Sequence, residues 1–187
     1  MHGHGIQSVI DIRSPDEVAE RPSPYAQGTA YQPAHFVLGR TMQIDQAAVA
    51  GTMSTELARL ASQQSGLGDV IRAIARAEPG IVLHCVAGRD RTGFIVAVVL
   101  AALGVVDDDI VADYVASDVE LVPEYERFIA EHAEDEANIR GAIIRRADTM
   151  RTMLATLRAE YGDGESYLRA AGVADTDIDR LRAKLIA

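Results

Sequence analysis

Apolar and polar positions divide this chain into a strand-bearing first half and a helical second half. Val9 to Ile12 is a short β-branched run, which predicts a buried strand. Directly after it, Arg13-Ser14-Pro15-Asp16-Glu17 reads as a helix start, with Ser14 as cap, Pro15 at the first position and Glu17 closing a capping box. Residues 21–30 are rich in Pro, Ser and Gly and predict a loop. Tyr31 to Leu38 predicts a second strand, which Pro33 breaks or confines to a sheet edge. Ser54 to Ala61 reads as helical. Leu67, Val70, Ile71 and Ile74 follow at the i, i+3, i+4, i+7 spacing of an amphipathic helix, stopped by Pro79-Gly80. Ile81-Val82-Leu83 predicts a buried central strand. The next helix, roughly Arg91 to Leu103, is apolar nearly all round and so belongs in the middle of the domain, with Gly104 at its C-cap.

The remainder predicts helices only. Asp107 to Asp109 offer caps to a helix through Tyr114, and Pro123 opens another carrying Tyr125, Phe128 and Ile129 on one face. Met150, Met153, Leu154, Leu157 and Tyr161 form a further apolar stripe, read as core. Thr176 with Asp179 resembles a capping box before Ile178, Leu181 and Leu185. Few strands early and many helices late point to an α/β protein.

Composition narrows what such a fold can do. With 187 residues and 48% apolar content the chain suits one domain, 1–187. The net charge of −10, from 28 acidic against 18 basic residues, argues against nucleic-acid binding and against anionic membranes, both of which need a basic face. The longest apolar run, Phe94 to Leu103, is far short of the ~20 residues that span a bilayer, so no stable membrane insertion is expected. No basic-then-apolar leader opens the chain, which makes a cytoplasmic protein the expectation and leaves signal-free secretion open. One cysteine can make neither an internal disulfide nor a zinc cluster. A lone cysteine is usually a small buried hydrophobe. Here Arg89 and Arg91 stand beside it.

The segment His84-Cys85-Val86-Ala87-Gly88-Arg89-Asp90-Arg91-Thr92-Gly93 lies between the expected buried strand and buried helix. Free N–H groups at a helix start, with the macrodipole, favour an anion. A short loop with converging amides from Val86 to Arg91 forms a nest, and Gly88 lets it turn without a Cβ in the way. Arg91 adds a bidentate fork for two phosphoryl oxygens. The same positive surroundings favour the nucleophilic thiolate of Cys85. In-line attack on phosphorus follows, with the equatorial oxygens held by loop and arginine. Thr92 is expected to hydrogen-bond the sulfur and help it depart, and His84 to support the thiolate. The pattern H-C-x-x-G-x-x-R-T fixes five residues and arises by chance with a probability of only ~10⁻⁵ in such a chain.

This loop resembles the signature of the protein tyrosine phosphatase superfamily, and A-G-R-D-R-T-G is similar to the A-G-K-D-R-T-G of the bacterial atypical tyrosine and lipid phosphatases. Val9 to Glu17 resembles that family's V-I-D-L-R-S-x-x-E, and Tyr161 to Leu185 its C-terminal end. The resemblance implies a small, mostly parallel central sheet flanked by helices. It implies activity on phosphotyrosine, in some members also on phosphoserine/threonine and phosphoinositides, with no cofactor and no metal. It makes Cys85 the nucleophile, Arg91 the phosphate-binding arginine and Asp90 the general acid, with Arg89 in place of the usual Lys. Asp11, at the carboxyl end of a parallel strand, is the second choice as acid, and otherwise it orients Arg13 or the loop. Arg13 and Glu17 are weaker candidates for touching substrate. The helical segment from about Asp107 to Arg146 is the expected lid. Members of the family usually carry further residues, including an N-F-R-D-x-G-G motif, before the first strand. Their lack here would expose a sheet edge open to pairing with a second copy in a homodimer.

Two rival readings use the same loop. A phospho-binding module would bind phosphopeptide or phospholipid without turnover, and a rhodanese-like sulfurtransferase would pass sulfur from thiosulfate to cyanide. The Arg-Thr ending and the buried following helix fit a phosphatase better. Pocket depth selects phosphotyrosine over the shorter phosphoserine, and the loop motif does not set depth.

Overall fold

The computed structural model describes residues 5–28, 30–36, 66–144 and 146–186. The helix expected at Ser54–Ala61, and Leu38 at the end of the second expected strand, lie outside them. The first strand, β1 (Ser8–Asp11), is buried throughout and runs parallel to both of its neighbours. On one side it pairs with β2 (Tyr31–Pro33), on the other with β3 (Ile81–His84), giving the order β2-β1-β3 among the described strands. Pro33, which has no N–H to give a ladder, sits on a strand with one described partner, as expected of a sheet edge. Ile81–His84 was expected at the centre and instead lies at the other end of the described sheet, half-buried. Its apolar run marks a strand covered by helices and cannot say how many strands flank it. The register sets Asp11 opposite His84, which gathers the carboxyl ends of β1 and β3 at one edge.

Helix α1 (Pro15–Glu20) starts as its sequence predicts. Ser14 accepts from the Glu17 amide, the Glu17 side chain accepts from the Ser14 amide, and Pro15 opens the first turn. Helix α2 (Leu67–Arg76) buries Leu67, Val70, Ile71 and Ile74, the four residues that predicted it. Helix α3 (Asp90–Ala102) is buried along most of its length and is followed by Gly104 at φ +83°. It packs against α4 (Asp107–Glu131) and α7 (Gly164–Ala170). A 3-10 turn, Ala133–Asp135, leads to α5 (Glu136–Ile144) and then to α6 (Arg146–Tyr161), which lies along α4. The stripe on α6 is core, with Met150, Met153, Leu154 and Leu157 all buried. Helix α8 (Asp175–Leu185) closes on α2.

Two helix boundaries correct the sequence reading. Pro123 opens no new helix but sits inside the single 25-residue α4. The carbonyl it leaves without a partner belongs to Val119, which is exposed, so water can satisfy it. Thr176 does not cap α8, whose N-cap is Ala174 with no side-chain bond. Asp175 and Asp177 already occupy the first turn, where their charge suits the helix dipole without a cap. No described helix is long and apolar enough to cross a membrane.

Candidate active site

The loop 85–89 leaves the carboxyl end of β3 and enters α3. Gly88 makes its turn at φ +68°, a left-handed value that side chains disfavour. Cys85 is buried at the base, whereas Val86, Ala87 and Gly88 are exposed, so the loop shows its rim to solvent and keeps the sulfur beneath. Arg91, in the first turn of α3, is buried too and its guanidinium lies beside Cys85.

Glu17 holds that arginine in place. Its Oε2 accepts from Arg91 Nη1 at 2.6 Å and its Oε1 from Nη2 at 2.7 Å, a bidentate pair. The same Oε2 accepts from the Ser14 amide at 2.8 Å, so the capping box of α1 also fixes the carboxylate that orients the arginine. The Arg91 hydrogen bonds, against the opposing effect of burial and with help from Ser14, hold the Glu17 carboxyl at about 2. Sequence reasoning gave Glu17 a weak claim to touch substrate; the capping box was visible, but nothing local pointed to Arg91.

Asp11 and Arg13 form a buried pair. Arg13 Nε donates to Asp11 Oδ1 at 2.9 Å and Nη2 to Oδ2 at 2.6 Å, while Tyr31 donates its hydroxyl to Oδ2 at 2.9 Å. Burial pushes the Asp11 carboxyl up, but hydrogen bonds from Arg13 and Tyr31 and the nearby His84 outweigh it and hold the group at about 2. A carboxylate so engaged is a poor proton donor. Arg13 spends Nη1 on the Arg21 carbonyl at 2.8 Å, tying the end of β1 to the end of α1. His84 Nδ1 lies 2.9 Å from the Cys85 carbonyl, which can only accept, so His84 donates there and braces the backbone of Cys85. Its Nε2 stands 3.8 Å from Asp11 Oδ2.

Asp90, the first residue of α3, meets Arg89, whose Nε reaches Oδ1 at 3.2 Å and Oδ2 at 3.1 Å. Tyr114 donates its hydroxyl to Asp90 Oδ1 at 3.2 Å, and the Arg89 guanidinium lies over the Tyr125 ring at 5.4 Å from its centroid. Both tyrosines come from α4, inside the segment expected to form a lid. Sequence reasoning placed them on helix faces and missed their reach to the loop, for which the sequence holds no local signal. Thr92 Oγ1 is buried and, among the described residues, makes no hydrogen bond; the bond to the sulfur expected of it is not formed. The sulfur faces the Arg91 guanidinium instead. No three His, Cys, Asp or Glu side chains of the described residues gather as a metal site. Asp107 is engaged by Arg158, whose Nε donates to Oδ2 at 2.9 Å.

The sequence profile described as "Tyrosine phosphatase family" matches residues 1–187. The triple specificity protein phosphatase PtpB of Mycobacterium tuberculosis is 34% identical over 142 residues, which cover 66% of this chain and 49% of that protein. A tyrosine-protein phosphatase of Nostoc commune is 30% identical over 195 residues, covering 97% of this chain and 66% of its own. The chain thus spans about half to two thirds of the length of these relatives. A match along the whole chain, the cysteine loop described above included, places this chain in the tyrosine phosphatase family.

Proposed function

We propose that this protein is a cysteine-dependent phosphatase that hydrolyses phosphate monoesters through a phosphocysteine intermediate. The observation that carries the reading is the seat of Cys85, buried below an exposed backbone loop, beside the Arg91 guanidinium and at the start of α3. The Cys85 thiolate attacks phosphorus, and the bond to the ester oxygen breaks with its electron pair passing to that oxygen. Asp90 gives the oxygen its proton, and the alcohol or phenol leaves. Water then attacks the phosphocysteine, returns a proton to Asp90, and the P–S bond breaks to give phosphate and free thiolate. Loop amides and Arg91 hold the phosphoryl oxygens through both steps, so their charge is met by groups already oriented.

Phosphotyrosine is the leading substrate class. Phosphoserine/threonine and phosphoinositides lie within the same chemistry, and the M. tuberculosis relative is named for triple specificity. Arg89, at the rim, supplies the cation for a second anionic group on the substrate. The cytoplasm, where thiols are kept reduced, is the compartment that suits a lone catalytic thiol. Hydrolysis of p-nitrophenyl phosphate is expected to persist in chelator and to vanish in Cys85→Ser. Activity that survives this substitution, or that needs added metal, overturns the reading; kinetics on phosphopeptides and phosphoinositides then rank the substrates.

A further inference from the structure

A second contact to Asp90 comes from outside the signature loop. Tyr114, buried on α4, donates its hydroxyl to Asp90 Oδ1 at 3.2 Å. Its ring reaches that position only because residue 93 has no side chain. A Cβ on Gly93 would lie 2.6 Å from both Tyr114 Cδ2 and Cε2, well inside contact distance. Ring packing in the core would be served equally by phenylalanine, and a buried hydroxyl is costly unless it is used. Arg89, the other group on Asp90, bends back to it from the adjacent residue. A contact between neighbours moves with the loop. Tyr114 anchors the acid to a different helix, one that packs along α3.

We propose that Tyr114 is a positioning residue for the proton donor: Arg89 Nε is shared between both oxygens, so the Tyr114 bond to Oδ1 is what fixes the rotation of the Asp90 carboxyl group and directs the transferable proton to Oδ2. Gly93 serves the same end by making room for the ring. The proposal rests on the phosphatase reading above and on Asp90 as the acid. In the first step Oδ2–H passes its proton to the ester oxygen as the P–O bond breaks. In the second, Oδ2 takes a proton from water. A carboxyl group free to rotate would make that alignment only part of the time; in the first step, which kcat/KM reports, the loss is largest where the leaving oxygen needs the proton.

The test compares wild type, Tyr114→Phe, Gly93→Ala, Asp90→Asn and the double variant Tyr114→Phe/Asp90→Asn on phenyl phosphate and p-nitrophenyl phosphate. The p-nitrophenolate leaves readily without protonation, and phenolate does not. General acids contribute on the order of 10²–10⁴-fold, so a misaligned one should cost Tyr114→Phe about tenfold more in kcat/KM on phenyl phosphate than on p-nitrophenyl phosphate. Gly93→Ala, which displaces the ring, should show the same selective loss and carries the test if Tyr114→Phe fails to fold. In the double variant the tyrosine change should add nothing to Asp90→Asn, because the two act as one unit. Equal losses of kcat/KM on both substrates, or full additivity in the double variant, overturn the positioning role while leaving the phosphatase intact. A wild-type protein that turns over neither substrate overturns the functional reading and this proposal together.

Discussion

The carboxylate of Glu17 joins two parts of the chain that are 74 positions apart, accepting from the α1 cap and from both terminal nitrogens of Arg91. Its folded value of about 2, below the ordinary 4.5, means that the folded state binds its proton less readily than the unfolded chain. The stability it contributes is therefore complete above about pH 4.5 and is lost as pH falls toward 2. Asp11, lowered from 3.8 to about 2, adds a loss over the same range. Thermal unfolding followed from neutral pH down to about pH 2 should show Tm level until about 4.5 and falling below it. In Glu17→Gln the acid fall should be shallower, because the group that titrates is gone. An identical acid slope in wild type and variant would show that the pair does not contribute. The Ser14–Glu17 half of this arrangement is legible in the sequence because a capping box spans only three residues. The Arg91 half is not, because nothing in the spacing of two charges so far apart says that they meet.

Helix α4 carries the two tyrosines that reach the loop, Tyr114 before Pro123 and Tyr125 after it. Tyr125 and Ile129 are buried on the far side of the proline, so packing continues the helix where local propensity would end it. Proline inside a helix is about 3 kcal/mol worse than alanine, and Pro123→Ala should raise stability by about 1–3 kcal/mol in urea denaturation. A less stable variant would mean that the local shape set by Pro123 is itself needed to seat Tyr125 on Arg89. The periodicity named the apolar face of the half after Pro123, where Tyr125 and Ile129 are buried. Continuity across Pro123 was beyond it, since a proline start and a tolerated internal proline look alike until the solvent side of the helix is known.

At the scale of the whole molecule, the C-terminal helix is fastened to the middle of the chain through one buried acid. Asp177 accepts from Arg76 Nη2 at 2.9 Å and from Arg180 Nη1 at 2.7 Å, while Lys184 donates to the carbonyls of Ile74, Ala75 and Ala77 at the end of α2. Both arginines are largely exposed and would rehydrate if freed, which limits the cost of removing their partner. Asp177→Ala should lose about 1.5–3 kcal/mol of unfolding free energy in urea, the range for hydrogen bonds to a charged group. Since no site residue lies on α2 or α8, kcat on p-nitrophenyl phosphate should hold at temperatures where the variant stays folded. A fall in kcat without a fall in stability would contradict that separation.

The sequence by itself determined the cysteine loop proposed to carry the reaction, because its parts are contiguous: the cysteine, the turning glycine, the arginine and the helix start that follows fall within a few residues. It likewise determined the α1 cap, the buried faces of α2 and α6, and the α/β class, all set by short-range periodicity. Only the tertiary structure decided which partner each charged or hydroxyl group finds: Glu17 on Arg91, Arg13 on Asp11 and away from the loop, Tyr114 on Asp90 across Gly93. Hydrophobic pattern fixes which side of an element turns inward. It does not fix what waits there, and in this protein Arg91, Asp11 and Asp90 each find a partner on an element distant in sequence.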